Sequence, residues 1–216
     1  MQLATHRTGG EGPARPVLLW RFSPAMRAIS SAVLGGGIGP CSWVLNAEVA
    51  LQYDHDDPAE HVRAIARELG LSERHGAGLL TAARVRDVAS AVDGDVTCDA
   101  TVGVSLPTWA ASRDARDAGD GTWVPGTINL VCRVPAPLSD AALVNAVITA
   151  TEAKTQAMVE RGVDGTGTAS DAVVIVCPPG GAEPYGGPRS RWGAPLARAV
   201  HAAVTQGLAR ALGNGT

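Results

Sequence analysis

The sequence predicts an α+β fold, in which about three helices pack on a mixed, largely antiparallel sheet within a single domain. The chain has 216 residues, of which 45% are hydrophobic, and this suits one globular domain. Strand-like segments outnumber helical ones. Several neighbouring strands are too close in sequence for a helix to connect them, which favours antiparallel pairing.

The predicted strands are short runs in which apolar residues alternate with polar ones or continue without a break. In the run 96–105, for example, Val96 and Cys98 face one way while Thr97 and Asp99 face the other. This alternation is typical of a strand with one face in the core. The predicted strands span 17–22, 28–34, 43–51, 77–82, 96–105, 127–134 and 172–177.

Three helices are predicted, two of them from clear capping signals. Asp57 can cap a helix N-terminus, and Pro58 suits the first helical position. Ser139 is the expected N-cap of a second helix, which ends before Gly162. The third helix is predicted over about 195–212.

Charge and hydropathy disfavour several classes of partner. The formal net charge is −3, which argues against nucleic acid or an anionic membrane surface as the main partner. The sequence has no run of 18 apolar residues, so no transmembrane helix is expected. The first 16 residues are polar and lack the apolar region of a signal peptide. We therefore interpret 1–16 as a flexible N-terminal extension and 17–213 as the domain.

The four cysteines, Cys41, Cys98, Cys132 and Cys177, form no C-x-x-C pair. Three of them lie in apolar strand-like runs, where a free cysteine packs as a small hydrophobic residue. We therefore expect free thiols and a cytoplasmic location. The histidines show no metal-ligand spacing, so no metal site is expected.

The second predicted helix carries Glu152 and Lys154 beside a stripe that changes from apolar to polar. The stripe expected to be buried comprises Leu143, Val144, Val147, Ile148, Thr151, Thr155 and Met158. Lys154 projects near the direction of this stripe, so we expect it to be partly buried, where a lysine pairs or shifts its pKa. The alternative is that Glu152 joins Gln156 and Glu160 on a solvated face, while the Lys154 ammonium reaches solvent.

Two polar turns are candidate binding elements. Gly126 allows close backbone approach, while Thr127 and Asn129 supply a hydroxyl and an amide from one face of a strand. The second turn spans 165–171. Its members of interest are Thr166, Gly167, Thr168 and Asp171. We predict that the two turns meet at one cleft beside Lys154; alternatively, each closes its own loop on a separate surface.

Taken in order, these segments resemble the adenosylcobinamide amidohydrolase family over roughly residues 28–212. The most specific piece is T-A-T-E-A-K-T at 149–155. The other pieces are 43–46 with Val49 and Tyr53, 78–83, 101–105, 126–129, 165–168 with Asp171, and Gly193. The sequence departs from the family at Pro188-Arg189, where a Thr-His pair is frequent, and after Ser105, where Leu106-Pro107 replace a frequent Asn.

The resemblance implies hydrolysis of the aminopropanol amide of adenosylcobinamide to adenosylcobyric acid, in corrinoid (vitamin B12) salvage. It implies no cofactor, because the cobalt belongs to the substrate. The expected partner is this small corrinoid, and a homo-oligomer stays open. Two alternatives are an amidohydrolase acting on another bulky amide and a non-catalytic corrinoid-binding protein.

Such a reaction must activate water, stabilise an oxyanion and protonate the departing amine. We expect Glu152, Lys154, Asn129 and Asp171 to be catalytic. Glu152 is a candidate general base on water, or it orients Lys154. Lys154 is a candidate for stabilising the developing negative charge or for donating the proton to the leaving amine. Asn129 or a turn N–H is expected to hold the scissile carbonyl. The residues expected to bind substrate are Asn46, Thr81, Gly126, Thr127, Thr151, Thr166, Gly167 and Thr168.

Overall fold

The computed structural model describes residues 1–7, 14–71, 75–112 and 126–213. Within these ranges the chain forms eight strands and three helices. The strands are β1 (Gln2–His6), β2 (Arg15–Ser30), β3 (Gly37–Glu48), β4 (Gly76–Thr81), β5 (Ala89–Asp93), β6 (Val96–Gly103), β7 (Thr127–Arg133) and β8 (Ala172–Cys177). The helices are α1 (Pro58–Glu68), α2 (Asp140–Glu160) and α3 (Gly193–Gly213).

All eight strands belong to one sheet, with the order β4-β3-β2-β8-β7-β6-β5 and with β1 paired to the first half of β2. The pairs β3–β4 and β7–β8 are parallel, and the other neighbouring pairs are antiparallel. This confirms the predicted α+β fold with a mixed, largely antiparallel sheet.

The N-terminal region differs from the prediction. Gln2–His6 pair with β2 as an antiparallel strand, and Arg15 begins β2, so these parts of the expected flexible extension are sheet. The backbone of β1 forms ladder hydrogen bonds with β2, and the polar composition of this segment gives no sign of that pairing. Residues 8–13 of the expected extension lie outside the described residues.

Two strands also differ from the prediction. The segments 17–22 and 28–34 were expected as separate strands, but β2 runs through the first and into the second. Its pairing with β3 shifts register between Arg21 and Met26, which accommodates the interruption within one strand. β5 was not predicted, because its five residues have no clear apolar alternation.

The helices cover one face of a sheet that curls. Helices α2 and α3 pack on β6–β8, while α1 packs on β3 and β4. The opposite face of the central strands holds a third apolar cluster that includes Leu18, Val44, Val131 and Val174. Side chains of β3 hydrogen-bond with those of β6 and β7, although β2 and β8 lie between them in the sheet. The sheet must therefore curl around this inner face.

The helix termini follow the sequence signals. Asp57 caps α1 by accepting from the Glu60 N–H, and Ser139 caps α2 by accepting from the Ala142 N–H. Among the described residues, no helix is both long enough and apolar enough to cross a membrane.

Candidate active site

A buried polar network crosses the inner face of the sheet. The Asn129 amide nitrogen donates to Asn46 Oδ1 at 3.0 Å and to the Leu80 carbonyl at 2.9 Å. The Asn46 amide nitrogen in turn donates to Thr101 Oγ1 at 2.9 Å. Asn46 and Asn129 are each 1% exposed. These bonds connect strands β3, β4, β6 and β7 and hold the Asn129 side chain in one orientation.

That orientation decides what Asn129 can offer a ligand. The Leu80 carbonyl can only accept, so the amide nitrogen of Asn129 must face it. Both N–H groups of Asn129 are therefore committed, whereas its buried Oδ1 has no hydrogen-bond partner among the described residues. A buried acceptor without a partner is costly unless a ligand supplies the donor. Because both N–H groups are already used, the expectation that the Asn129 side chain donates to the scissile carbonyl does not fit this geometry.

A buried ion pair joins α2 to the turn before β8. Lys154 Nζ donates to Asp171 Oδ2, and the two side chains are 7% and 13% exposed. Asp171 Oδ2 also accepts from the Thr168 N–H at 3.1 Å, and Oδ1 accepts from the Ile128 N–H at 2.9 Å and from the Thr168 hydroxyl. The expected burial of Lys154 is confirmed. The Asp171 carboxylate is held by donors on both oxygens.

Glycine leaves room for this ion pair where the turn passes it. A Cβ at Gly167 would lie 2.5 Å from Asp171 Oδ2 and 2.6 Å from Lys154 Nζ. Both distances are shorter than any normal contact, so a side chain here would push the two charges apart. Gly167 therefore contributes by leaving space.

The two predicted turns do meet. Thr168 Oγ1 lies 2.7 Å from the Gly126 carbonyl, and Ser170 Oγ lies 3.2 Å from the same oxygen. The Ser170 and Thr127 hydroxyls are 2.8 Å apart. The alternative, in which each turn closes on its own surface, is wrong. Thr166 has a different task, since its hydroxyl accepts from the Ala110 N–H and so ties down the neighbouring loop.

A cavity of about 460 Å³ opens beside this cluster. The predicted site residues that line it are Thr81, Thr127, Asn129 and Asp171. Lys154 was expected to line the same pocket as Asn129 and Asp171, and this part of the prediction is wrong: it does not line the cavity and reaches it only through Asp171. Residues 106–107 and 188–189, where the sequence departs from the family pattern, do not line it either.

Glu152 and Thr151 lie elsewhere. Both are exposed on the outer side of α2, in a shallow groove with Gln156 and Glu160. This placement matches the alternative interpretation of a solvated face. The predicted buried stripe was also partly wrong, since Val144 and Ile148 are about half exposed. The face of α2 that is buried is rich in alanine and includes Ala142, Ala146, Ala150, Ala153 and Ala157.

The sequence reasoning missed several residues at the cavity. Ser31 and His55 line it, and their signal in the sequence is weak because one follows a strand and the other lies in a loop. Tyr53 also lines it; the family resemblance includes this residue, but it was not assigned to the site. A stronger signal was overlooked for Lys154, which is the only lysine among 18 basic residues. A chain that otherwise uses arginine retains lysine where a compact point charge is needed.

A larger cavity, of about 650 Å³, lies at another part of the sheet. Trp20, Phe22, Ser90 and Asp99 are among the residues that line it. The predicted site residues do not line it, and its Asp99 carboxylate already accepts from the Trp20 indole N–H and the Ser90 hydroxyl. We therefore place the candidate active site at the smaller cavity.

Comparison with known proteins identifies the family of this chain. The family model described as adenosylcobinamide amidohydrolase matches residues 2–216. A Methanosarcina mazei protein named adenosylcobinamide amidohydrolase is 31% identical over 188 residues, which cover 82% of this chain and 88% of the relative. A Halobacterium salinarum protein of the same name is 37% identical over 159 residues, 71% of this chain and 68% of the relative. The chain belongs to the adenosylcobinamide amidohydrolase family, whose members are hydrolases acting on an amide bond.

Proposed function

We propose that this chain hydrolyses the aminopropanol amide of adenosylcobinamide, giving adenosylcobyric acid and aminopropanol in corrinoid salvage. The observation that carries the proposal is the family match over residues 2–216. The cavity supports it chemically. Its hydroxyl and amide groups are neutral, and neutral donors and acceptors suit the amide side chains at the rim of a corrinoid. Its volume suits one amide arm, with the corrin ring at the mouth.

In this proposal the scissile amide lies against Asn129. The amide N–H donates to the unpartnered Asn129 Oδ1, which satisfies a buried acceptor. Because Asn46 and Leu80 fix the Asn129 side chain, the acceptor is oriented before the substrate arrives. Such preorganisation lowers the entropic cost of placing the amide beside the reacting groups.

Asp171 is the proposed general base. The Lys154 ammonium donates to its Oδ2 and holds the carboxylate in place. Thr168 has one hydroxyl proton and two acceptors within reach, Asp171 Oδ1 and the Gly126 carbonyl. When Asp171 takes a proton from the attacking water, Thr168 can turn its own O–H to Gly126 and accept from the protonated carboxyl. The geometry therefore accommodates Asp171 in both protonation states.

The same carboxyl completes the reaction. As the C–N bond breaks, Asp171 passes the proton to the departing amine nitrogen and becomes ionised again beside Lys154. Water supplies the oxygen of the new carboxylic acid and the proton of the free amine, so the atoms balance. We propose that the reaction proceeds without a cofactor, with the cobalt present only as part of the substrate.

The test is incubation of the purified protein with adenosylcobinamide and measurement of free aminopropanol and of adenosylcobyric acid. Asp171→Asn keeps the size of the side chain but removes the base, so its turnover should fall by roughly 10²–10⁴-fold. Binding of the corrinoid without product release would indicate a non-catalytic binding protein. Release of amines from other bulky amides, with adenosylcobinamide inert, would indicate a different substrate.

We also propose a reducing, cytoplasmic location. All four cysteines are buried and free in the structure, which supports this proposal. Burial raises the pKa of the Cys41 thiol to about 11, so this thiol is a poor nucleophile. Detection of a disulfide by mass spectrometry of the native protein, alkylated at once on cell lysis, would contradict this location.

A further inference from the structure

Tyr53 brings a phenol to the wall of the candidate active site. It lies in the loop between β3 and α1, and it lines the cavity together with Asn129 and Asp171. Burial, followed by the charge of Asp57, raises the pKa of Tyr53 to about 12. The phenol therefore keeps its proton at neutral pH and can act as a hydrogen-bond donor.

His61 holds this phenol in place from helix α1. Its Nδ1 lies 2.7 Å from the Tyr53 hydroxyl oxygen, and the two rings stack with centroids 5.3 Å apart. The His55 ring also stacks on the His61 ring, with the two centroids 4.9 Å apart. His61 is 7% exposed, and burial, followed by His55 and His6, lowers its pKa. His61 is therefore neutral at neutral pH and carries one ring proton.

The position of that proton follows from the surroundings. His61 Nε2 is buried and has no hydrogen-bond partner among the described residues. A buried N–H without an acceptor is rarer than an acceptor without a donor, so the favoured tautomer carries its proton on Nδ1. Nδ1–H then donates to the Tyr53 oxygen. The phenol O–H is left free to donate to a ligand in the cavity.

Amide hydrolysis needs such a donor, and Tyr53 can supply one from the cavity wall. Both N–H groups of Asn129 are committed to other residues, and Lys154 does not line the cavity. Ser31 and Thr81 offer alkyl hydroxyls, which are weaker acids than a phenol and so weaker donors to a developing oxyanion.

We propose that Tyr53 is a further catalytic residue, whose phenol donates to the scissile carbonyl oxygen as it becomes an oxyanion, and that His61 is its positioning residue. This inference rests on the proposed amide hydrolysis. The phenol keeps its proton throughout, so no bond forms or breaks at Tyr53. The strengthening of one hydrogen bond in the transition state is its entire contribution.

The test measures aminopropanol release from adenosylcobinamide by the Tyr53→Phe variant of the full chain. Removal of an oxyanion donor should lower kcat by roughly 10²–10³-fold while KM changes little. The matched control is Tyr185→Phe, because Tyr185 is the other tyrosine of the chain and is 72% exposed. This control should keep wild-type kcat and KM.

A pair of His61 variants tests positioning. His61→Asn places an amide N–H near the original Nδ1 and should keep most of the turnover, whereas His61→Leu removes the donor and should lower kcat. Thermal melts establish that each variant is folded. Wild-type kcat in Tyr53→Phe, or equal rates in the two His61 variants, would overturn this inference alone. A folded wild-type protein that releases no aminopropanol would overturn the proposed function and this inference with it.

Discussion

Replacement of Lys154 by methionine tests the buried ion pair directly. The substitution keeps the length and apolar part of the side chain and removes only the charge and its donors. The Asp171 carboxylate, which is 13% exposed, would then remain in the protein interior without its cation. The N–H groups of Ile128 and Thr168 would still donate to it, so the loss is specific to the ion pair.

The expected cost follows from the burial of both partners. Removal of one member of a buried ion pair destabilises a protein by about 3–5 kcal/mol, because the remaining charge is uncompensated. For a chain of about 150–250 residues, 1 kcal/mol corresponds to roughly 2–4 °C in Tm. Lys154→Met should therefore lower Tm by about 6–20 °C. Turnover measured well below the new Tm should also fall, since the Asp171 carboxylate loses the donor that holds its Oδ2 in place.

The assay is a thermal melt followed by circular dichroism, with Arg198→Met as the matched control. Arg198 also pairs with a carboxylate, Asp93, but its side chain is 61% exposed. An exposed pair contributes little, so this control should melt close to wild type. If the Lys154→Met melt coincides with that of Arg198→Met, the ion pair does not stabilise the fold as argued.

Three further predictions can be checked with the same assays. Gly167→Ala should lower both Tm and turnover, because its Cβ would lie 2.6 Å from Lys154 Nζ; wild-type values would show that the turn can move aside. Glu152→Gln should leave turnover near wild type and stability within about 0.5 kcal/mol, since Glu152 is exposed; a large loss of turnover would restore its catalytic role. The pKa of His61 is lowered from 6.5 by burial and two neighbouring histidines, so below about pH 6.5 the unfolded chain binds more protons and stability falls as pH decreases. His61→Asn should reduce the decline of Tm between about pH 6.5 and 5, and an unchanged decline would exclude His61 as its source.

The features that were predicted correctly from the sequence, such as the helix starts, depend on interactions between residues close together in the chain. The caps at Asp57 and Ser139 involve residues three positions apart, so the starts of α1 and α2 could be predicted closely. The buried face of α2 could not, because it depends on which helix packs against it. Close packing with α3 and the sheet buries the alanine face and leaves Val144 and Ile148 half exposed.

The same distinction applies to the candidate site, where one feature was predicted from the sequence and another was not. The meeting of the turns at Gly126 and Thr168 was predicted from their polar residues and from their order along the chain. The orientation of Asn129 was not, since it depends on the Leu80 carbonyl, 49 residues away in sequence, and on the curl of the sheet. The proposed acceptor role of Asn129 therefore rests on the three-dimensional structure.

The choice of lysine at position 154 has a physical cause that can be tested by Lys154→Arg. Seventeen of the 18 basic residues are arginine, so the chain does not lack arginine elsewhere. At this position a Gly167 Cβ would already be only 2.6 Å from Nζ, and the guanidinium group is larger than the ammonium group. Arginine would have to displace the turn that presents Asp171, although the charge is conserved. Lys154→Arg should therefore lose turnover to nearly the same extent as Lys154→Met, as measured by aminopropanol release. Wild-type turnover in Lys154→Arg would mean that charge alone suffices and that the tight space around Nζ is not required.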